Sequence, residues 1–414
     1  MSAPSGPSAG PPQAGPRPRG GPVDVSGERG AYIYLDHNAT TQPAPEVIAE
    51  MVDAMQRSWA NPSSTHAPGR AAKRLLADAR SRVARFLGAQ ASEVVFTSGA
   101  TEANHMAVLG ALAGSRGRVR RRLVLSSVEH PGLLALAQRL ADEGVPVDLI
   151  RVDAQGRLDL GHARTLIRDD VSLVSVMGAN NETGVCLPVA ALAELAHAHG
   201  AWMHVDATQL AGKVALSFAA SGADMMSVSA HKLAGPKGVG ALLVRKGLPL
   251  APLLSGRQER HRRGGTENLP GITGFAAACE LAGATLATDI ERMRGLRERL
   301  EQGLLRCLPG THLYGAQAER LPNTACLRFA DLAAEPVLAW LERAGVVASS
   351  GAACSAGGTQ PSHVLLAMGE SAAQAKSGVR FSLGRDTTTA DIDAVLDAAQ
   401  RALLPLLGPQ PLAA

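Results

Sequence analysis

The stretch Ser227-Val-Ser-Ala-His-Lys-Leu-Ala-Gly-Pro-Lys-Gly238 decides the fold, because a lone lysine, Lys232, follows an apolar strand and precedes a glycine-rich turn. The strand end fixes the backbone, and the glycines let the chain turn away. Ser229 and His231 beside the lysine offer donors to an anion. An amine whose pKa is lowered by partial burial or a nearby cation can form a Schiff base with an aldehyde. The same pattern also fits an ordinary surface lysine at a strand end.

A short apolar strand followed by a helical stretch repeats along the chain. Strands are predicted at residues 93–99, 122–127, 147–151, 171–176, 202–206 and 239–244. This alternation predicts an α/β fold with a mostly parallel sheet covered by helices on both faces.

Elements outside this repeat predict a second, smaller α+β unit. A long helix at about residues 271–308 can bridge two domains, and beyond it lie a strand at 325–329, a helix at 335–344 and a strand at 379–383. We expect the N-terminal run from residue 31, which precedes a helix at about 45–59, to join this smaller unit.

Length and composition exclude several classes of protein. The 414 residues, 46% hydrophobic and 19% charged, are typical of a soluble enzyme of two or three domains. A net charge of +4 and 3% aromatic residues argue against nucleic-acid binding. No apolar run reaches the roughly 18 residues of a membrane span, and the N-terminal residues lack the basic start and apolar core of a secretory signal, so we expect neither. Residues 1–30, rich in Gly, Pro and Ala, predict a disordered tail.

The five cysteines are scattered, odd in number and without CxxC spacing. This pattern predicts neither a disulfide framework nor a thiolate metal site, and it fits a reducing cytoplasm. Cys354 differs from the others because it lies in a loop rich in Gly, Ala and Ser, where a thiol is accessible for attack. It can equally be an inert cysteine. His197 and His199 lie two apart on a helix without an obvious carboxylate partner, so a metal site is not expected there.

Polar residues follow several of the predicted strands. Thr101 closes a strand-to-helix turn that favours a phosphate group, although a plain helix cap fits as well. Asp206 ends a strand at the carboxyl edge, where it can keep a pyridine nitrogen protonated or merely cap a helix. Gln209 and Asn181 lie at the same edge. Together with Lys232, these residues suit pyridoxal phosphate.

Three further candidates lie elsewhere. His130 closes another strand and can stack on a planar ring or shuttle protons, or it can be satisfied within its loop. Arg380 can hold a substrate carboxylate by two hydrogen bonds or form a structural ion pair. Thr266 follows two glycines that leave its backbone free to approach a ligand.

With these residues in place, the chain resembles the cysteine desulfurases of the NifS and IscS type, in the class V aminotransferase group of pyridoxal phosphate (PLP) enzymes. The resemblance runs from about Tyr34 to the C-terminal strand and helix. The motifs that carry it, in order, are YLDHNATT, NPSSTH, FTSGATEAN, SSVEHPG, ANNETG, HVDATQ, SAHKLAGPKG, RRGGTEN, SSGAACS and VRFSLGR.

The resemblance implies a PLP fold-type I homodimer. Its large domain, residues 46–284, would contain a mostly parallel seven-stranded sheet, and a small α+β domain would consist of residues 31–45 and 285–414. Lys232 would form the Schiff base with PLP. The remaining cofactor contacts would come from Ala100, Thr101, His130, Asn181, Asp206, Gln209, Ser229, Ala230, His231 and Thr266, the last reaching the partner subunit's phosphate.

The implied reaction removes sulfur from L-cysteine to give L-alanine and a persulfide on Cys354, with Lys232, His130 and Cys354 catalytic. Asn181 and Arg380 would bind the substrate. The sulfur would pass to an acceptor or iron–sulfur scaffold protein, and Cys354 can transiently ligate a cluster. Two positions depart from the family pattern: Ala352 replaces a serine, and His105 an asparagine. A selenocysteine lyase, an aminotransferase and an inactive scaffold remain alternatives.

Overall fold

The computed structural model describes residues 32–114, 120–351 and 360–407. Its largest sheet contains seven strands: β2 (Val94–Thr97), β3 (Arg122–Ser126), β4 (Val147–Ile150), β5 (Val171–Met177), β6 (Trp202–Asp206), β7 (Met225–Ser229) and β8 (Gly240–Val244). Their order is β2-β8-β7-β6-β5-β3-β4, and β8 alone runs antiparallel to its neighbours. The predicted α/β fold is confirmed, and the predicted strand bounds differ from these by at most two residues.

Helices cover both faces of this sheet. The α-helices of the described residues are α1 (Pro45–Arg57), α2 (Ala67–Phe86), α3 (Ala100–Ala113), α4 (Pro131–Asp142), α5 (Leu160–Leu166), α6 (Val189–Ala198), α7 (Leu269–Cys307), α8 (Ala334–Arg343), α9 (His363–Ala367), α10 (Ala372–Ala375) and α11 (Thr389–Leu403). Of these, α8 and α11 pack instead into the core of the smaller sheet. Val94 and Phe96 enter one hydrophobic core, whereas Val95 between them enters another. This alternation follows from the two-residue period of a strand, and it buries the sheet on both sides.

The 39-residue helix α7 contributes to two cores. Ile272 and Phe275 in its first half pack into a core of the large sheet, and its later residues Leu300 and Leu304 pack into the core of the smaller sheet. By length and composition, α7 alone among the described helices could cross a membrane, which the sequence reading had not found. Half of its most apolar window is buried, because α1 and α2 pack against it. Such burial is typical of a core helix.

The smaller sheets lie around the C-terminal part of the chain. One is antiparallel, in the order β12-β13-β10-β9, and contains β9 (Thr311–Leu313), β10 (Thr324–Phe329), β12 (Ser349–Ser350) and β13 (Val379–Ser382). In the other, β1 (Ile33–Tyr34) pairs in parallel with β11 (Val346–Val347), so the N-terminal run does join this unit. The domain bounds at residues 46–284 and at 31–45 with 285–414 stay a prediction.

Candidate active site

A cleft of about 570 Å³ opens where β2, β3, β5, β6 and β7 end. The carboxyl ends of parallel strands meet at one edge of a sheet, so side chains far apart in sequence come together there. Nine of the predicted site residues line the cleft: Ala100, Thr101, His130, Asn181, Asp206, Gln209, Ser229, His231 and Lys232.

Lys232 ends a single 3-10 turn, Ala230–Lys232, that follows β7 directly. Its Nζ donates to the backbone oxygens of Asn38, at 2.6 Å, and Ala39, at 2.7 Å. Thr41 holds the same turn from the N-terminal run, because its hydroxyl donates to the His231 carbonyl at 2.8 Å. The lysine amine is therefore held at the cleft by residues nearly 200 positions earlier in the chain.

Asp206 presents a nearly buried carboxylate, 7% exposed, at the end of β6. Its Oδ2 accepts from the Asn104 side chain at 2.7 Å, and its Oδ1 accepts from the backbone N–H of Thr208 at 3.0 Å. Asn104 Oδ1 and Thr208 Oγ1 are buried without a hydrogen-bond partner among the described residues, and both residues line the cleft. Buried polar atoms of this kind are commonly satisfied by water or by a bound ligand.

His130 caps the N-terminus of α4, and its Nδ1 accepts from the backbone N–H of Gly132 at 3.1 Å. In the neutral ring the proton therefore lies on Nε2. Burial lowers the pKa of His130, the Lys232 charge lowers it further, and the Asp206 carboxylate opposes both effects. The imidazole is thus neutral near pH 7 and keeps one N–H group for a ligand.

Glu129, next to His130, is fully buried. Its Oε1 accepts from the Ser126 hydroxyl and, at 2.8 Å, from the backbone N–H of Met177, so it ties β3 to β5. Its Oε2 has no partner among the described residues. Burial raises the pKa of this carboxyl to about 8.

The cleft end near α3 suits an anion. This helix begins at Ala100 without a side-chain cap hydrogen bond among the described residues, and its first residues line the cleft, where free N–H groups of a helix N-terminus can bind an anion. Ser229 and His231 also line the cleft. Burial, and then the charge of Lys232, lower the pKa of His231 to about 4, and its Nδ1 lies 3.1 Å from the Thr40 hydroxyl.

Four predicted site residues lie outside the cleft or outside the described residues. Ala230 is fully buried, and Thr266 is exposed away from the cleft. Arg380, 1% exposed, lies behind Asn181: its guanidinium donates to the Asn181 carbonyl at 3.1 Å and pairs with Asp36 at 2.5 Å. Cys354, like Ala352, lies outside the described residues. The roles assigned to these residues stay predictions.

The prediction that His197 and His199 lack carboxylate partners is wrong. His197 and His199 each have a carboxylate partner, Asp224 at 2.8 Å and Asp169 at 2.9 Å, because loops that are distant in sequence bring these acids to α6. Within the described ranges, no group of three His, Cys, Asp or Glu side chains is arranged to hold a metal ion. His105 lies on the exposed side of α3, with its Nδ1 at 2.8 Å from the Thr101 carbonyl.

Sequence reasoning missed two residues that organise the site. Asn38, 1% exposed, makes hydrogen bonds through its backbone and its side chain to two strands of the smaller antiparallel sheet and to Gln209 and Lys232 at the cleft. Lys213, 5% exposed, contacts Asn38 and Gln209. The motif YLDHNATT contains Asn38, and Lys213 lies four residues after Gln209. The sequence could therefore have marked both residues as close to the site, but it could not have predicted their hydrogen-bond partners.

The residues present fit PLP. An amine, a buried carboxylate on the neighbouring strand, unpartnered polar atoms and an uncapped helix N-terminus face one cleft. A mostly parallel seven-stranded sheet with these groups at its carboxyl edge defines a PLP-dependent enzyme of fold type I.

Comparison with known proteins gives the family. Aminotransferase class-V matches residues 33–395, and the chain belongs to this family. A cysteine desulfurase of Cereibacter sphaeroides is 48% identical over 88% of this chain and 94% of that protein. A cysteine desulfurase of Bradyrhizobium diazoefficiens is 47% identical over 88% and 93%. The resemblance to cysteine desulfurases that the sequence indicated is confirmed.

Solved structures agree with this assignment. A NifS-like protein superposes with a TM-score of 0.85 at 34% identity, covering 91% of this chain and all of that one. SspA in complex with cysteine superposes with a TM-score of 0.75 at 31% identity, covering 84% of this chain and 98% of that one.

Proposed function

We propose that this enzyme is a PLP-dependent cysteine desulfurase, which converts L-cysteine to L-alanine and retains the sulfur as a persulfide on Cys354. The observation that carries the proposal is the single cleft in which Lys232, Asp206 and His130 meet. The relatives named cysteine desulfurase, similar over 88% of the chain, support the same substrate.

The cofactor would be held by residues along the cleft. Asp206 would face the pyridine nitrogen and Gln209 the ring oxygen, while the N-terminus of α3 and Ser229 would bind the phosphate. Bound PLP supplies an electron sink, which makes the Cα proton of an amino acid removable. The buried Asp206 carboxylate, to which Asn104 donates a hydrogen bond, would keep the pyridine nitrogen protonated.

Lys232 and His130 are placed to move protons. The Lys232 amine can take a proton at Nζ, and the Asn38 and Ala39 carbonyls stabilise its protonated form. His130 presents Nε2–H, which can donate to an oxygen or nitrogen in the cleft. Arg380 would bind the substrate carboxylate beside Asn181.

In the sulfur-transfer step, Cys354 would be the nucleophile. The Cys354 thiolate would attack the sulfur of the substrate, so that an S–S bond forms as the substrate C–S bond breaks and its electron pair returns to carbon, which takes up a proton. The net change is cysteine and a thiol going to alanine and a persulfide.

Incubation of the PLP-loaded enzyme with L-cysteine tests the proposal. We expect one alanine per sulfur and, by peptide mass spectrometry, one added sulfur on Cys354. Lys232→Ala should lose turnover, Cys354→Ala should lose the persulfide, and the control Cys307→Ala should keep both. A persulfide on another cysteine, or alanine formation that persists at the wild-type rate in Cys354→Ala, would contradict the mechanism.

We also propose that the enzyme is a homodimer. Ile48, Val52, Met55 and Trp59 recur at helical spacing along α1 and its end, and they are 39–78% exposed. Such an apolar stripe favours a protein partner. Thr266, exposed and outside the cleft of its own chain, is then free to reach the site of a second copy. Light scattering should show a dimer, and Met55→Glu with Trp59→Glu should yield monomers; a wild-type monomer would refute this.

The persulfide sulfur would leave the enzyme by transfer to a second protein. We expect transfer to an acceptor protein, such as an iron–sulfur scaffold, in the cytoplasm. Transfer of ³⁵S from the enzyme to purified scaffold, and cell fractionation, test the two parts. Label retained on the enzyme, or enzyme recovered with membranes, would contradict them.

A further inference from the structure

Lys213 is a second buried lysine behind the cleft. It follows β6 within the turn that begins at Ala207, and its side chain does not line the cleft. Its Nζ donates to Asn38 Oδ1 at 3.0 Å and to Gln209 Oε1. Within residues 32–114, 120–351 and 360–407, no carboxylate oxygen lies within 4.0 Å of this nitrogen. Since a buried lysine without an acidic partner is costly, a specific role is expected.

The contact of Lys213 with Gln209 sets the orientation of the glutamine amide. A lysine nitrogen that makes hydrogen bonds to two oxygens must be the donor in both, so the amide oxygen, rather than its nitrogen, faces Lys213. On the other side, Gln209 Nε2 donates to the Asn38 backbone oxygen at 3.1 Å. Both neighbours therefore require the same orientation of the amide. Its second N–H is left for the cleft, which Gln209 lines.

Lys213 also holds Asn38, the residue whose backbone oxygen binds the Lys232 amine. Asn38 Oδ1 accepts from Lys213 and, at 3.1 Å, from the side chain of Asn323. The backbone oxygen of Asn38 accepts from Lys232 Nζ at 2.6 Å. One residue thus connects the two lysines, and a change at Lys213 reaches the cleft through Gln209 and Asn38.

We propose that Lys213 is a positioning residue, which fixes the Gln209 carboxamide so that its Nε2–H, and not its oxygen, faces an anionic oxygen of the ligand in the cleft. This inference rests on the proposed function, because the ring of PLP carries such an oxygen. A donor there favours the anionic oxygen and makes the neighbouring imine nitrogen less basic. An amide turned the other way would place two oxygens against each other and make that nitrogen more basic.

Lys213→Met tests the inference, because methionine has similar length but no donor. The PLP-loaded variant should keep a visible absorption band, but the pH midpoint of its spectral change should rise by about one unit, the effect expected for a lost hydrogen bond to a charged group. Gln209→Leu should raise the midpoint similarly, and adding Lys213→Met to Gln209→Leu should raise it little further. The exposed control Lys376→Met should leave the midpoint unchanged.

Lys213→Gln separates hydrogen bonding from charge, and it keeps the test decisive if Lys213→Met does not fold. A glutamine side chain donates hydrogen bonds to oxygens without carrying charge. The pH midpoint of the spectral change in Lys213→Gln should therefore stay within about 0.3 unit of the wild-type value. Three results would overturn the inference without affecting the PLP assignment. They are an unchanged pH midpoint in Lys213→Met, additive shifts of the midpoint in the double variant, and a shift of about one unit in Lys213→Gln. Absence of a visible band in the wild-type protein would instead refute the cofactor assignment, and this inference with it.

Discussion

Replacement of Glu129 by glutamine should stabilise the protein at high pH. Glu129 is fully buried, and burial raises the pKa of its carboxyl from 4.5 to about 8 in the folded state. The stability that the protonated acid contributes is present below pH 4.5 and is lost as the pH rises towards 8, at about 1.4 kcal/mol per pH unit. Glutamine does not titrate. Between pH 5.5 and 8 the variant should therefore gain about 3 kcal/mol relative to the wild type.

The hydrogen bonds around Glu129 favour a clean substitution. The amide oxygen of glutamine can accept from Ser126 and Met177 as Oε1 does, and the amide nitrogen takes the place of Oε2, which has no partner among the described residues. Below pH 5 the two proteins should thus be similar in stability. Any large loss there would show that the substitution disturbs packing.

Guanidinium unfolding of the cofactor-free protein, followed by circular dichroism at fixed protein concentration, measures this difference. Glu182→Gln is a matched control, because burial raises the pKa of Glu182 only to about 7, while Ser362 donates to its Oε2 at 2.6 Å. The stability gained by Glu182→Gln over the wild type should stop increasing near pH 7, whereas the stability gained by Glu129→Gln should increase to about pH 8. A difference that is flat or falls from pH 5.5 to 8 would refute the assignment of a buried neutral acid.

Three further substitutions probe a buried ion pair and the packing around two glycines. Glu259→Ala removes a carboxylate that binds both terminal nitrogens of Arg80 at 2.7 Å; the buried guanidinium left behind should cost about 3–5 kcal/mol in urea unfolding, and a loss below about 1 kcal/mol would contradict this. Gly384→Ala would place a methyl group 2.2 Å from the His37 ring and should lower stability by about 1–3 kcal/mol. Gly295→Ala, in α7 with nothing within 4 Å, should instead raise it by up to about 1 kcal/mol, and equal effects of the two glycine variants would contradict the packing seen here.

Much of the site could be predicted because it lies at strand ends. Asp206 ends an apolar strand and Lys232 ends the short turn after another, and the rule that parallel strands present their carboxyl ends at one edge is enough to bring them together. Periodicity also predicted the long helix α7 within two residues at each end. These elements are long enough for local patterns to determine them.

The remaining features depend on contacts that no local pattern contains. Arg380 stays predicted to bind the substrate carboxylate, and no local pattern contains its ion pair with Asp36, 344 positions away. The strand pair β1 and β11 has two residues on each side, too few for a hydrophobic period to be seen. Lys213 reads as an ordinary surface lysine because its partners are an amide and a side chain from the N-terminal run.

The contacts of Asn38 determine when the lysine pocket can be completed during biosynthesis. Its backbone N–H donates to Ser382 at 2.9 Å, and its side chain bonds Asn323 and Thr324. A nascent chain on the ribosome holds Asn38 and Lys232 long before residue 382 has left the exit tunnel. The contacts that fix the Asn38 carbonyl beneath the lysine amine are therefore complete only after residues 323, 324 and 382 have folded against Asn38.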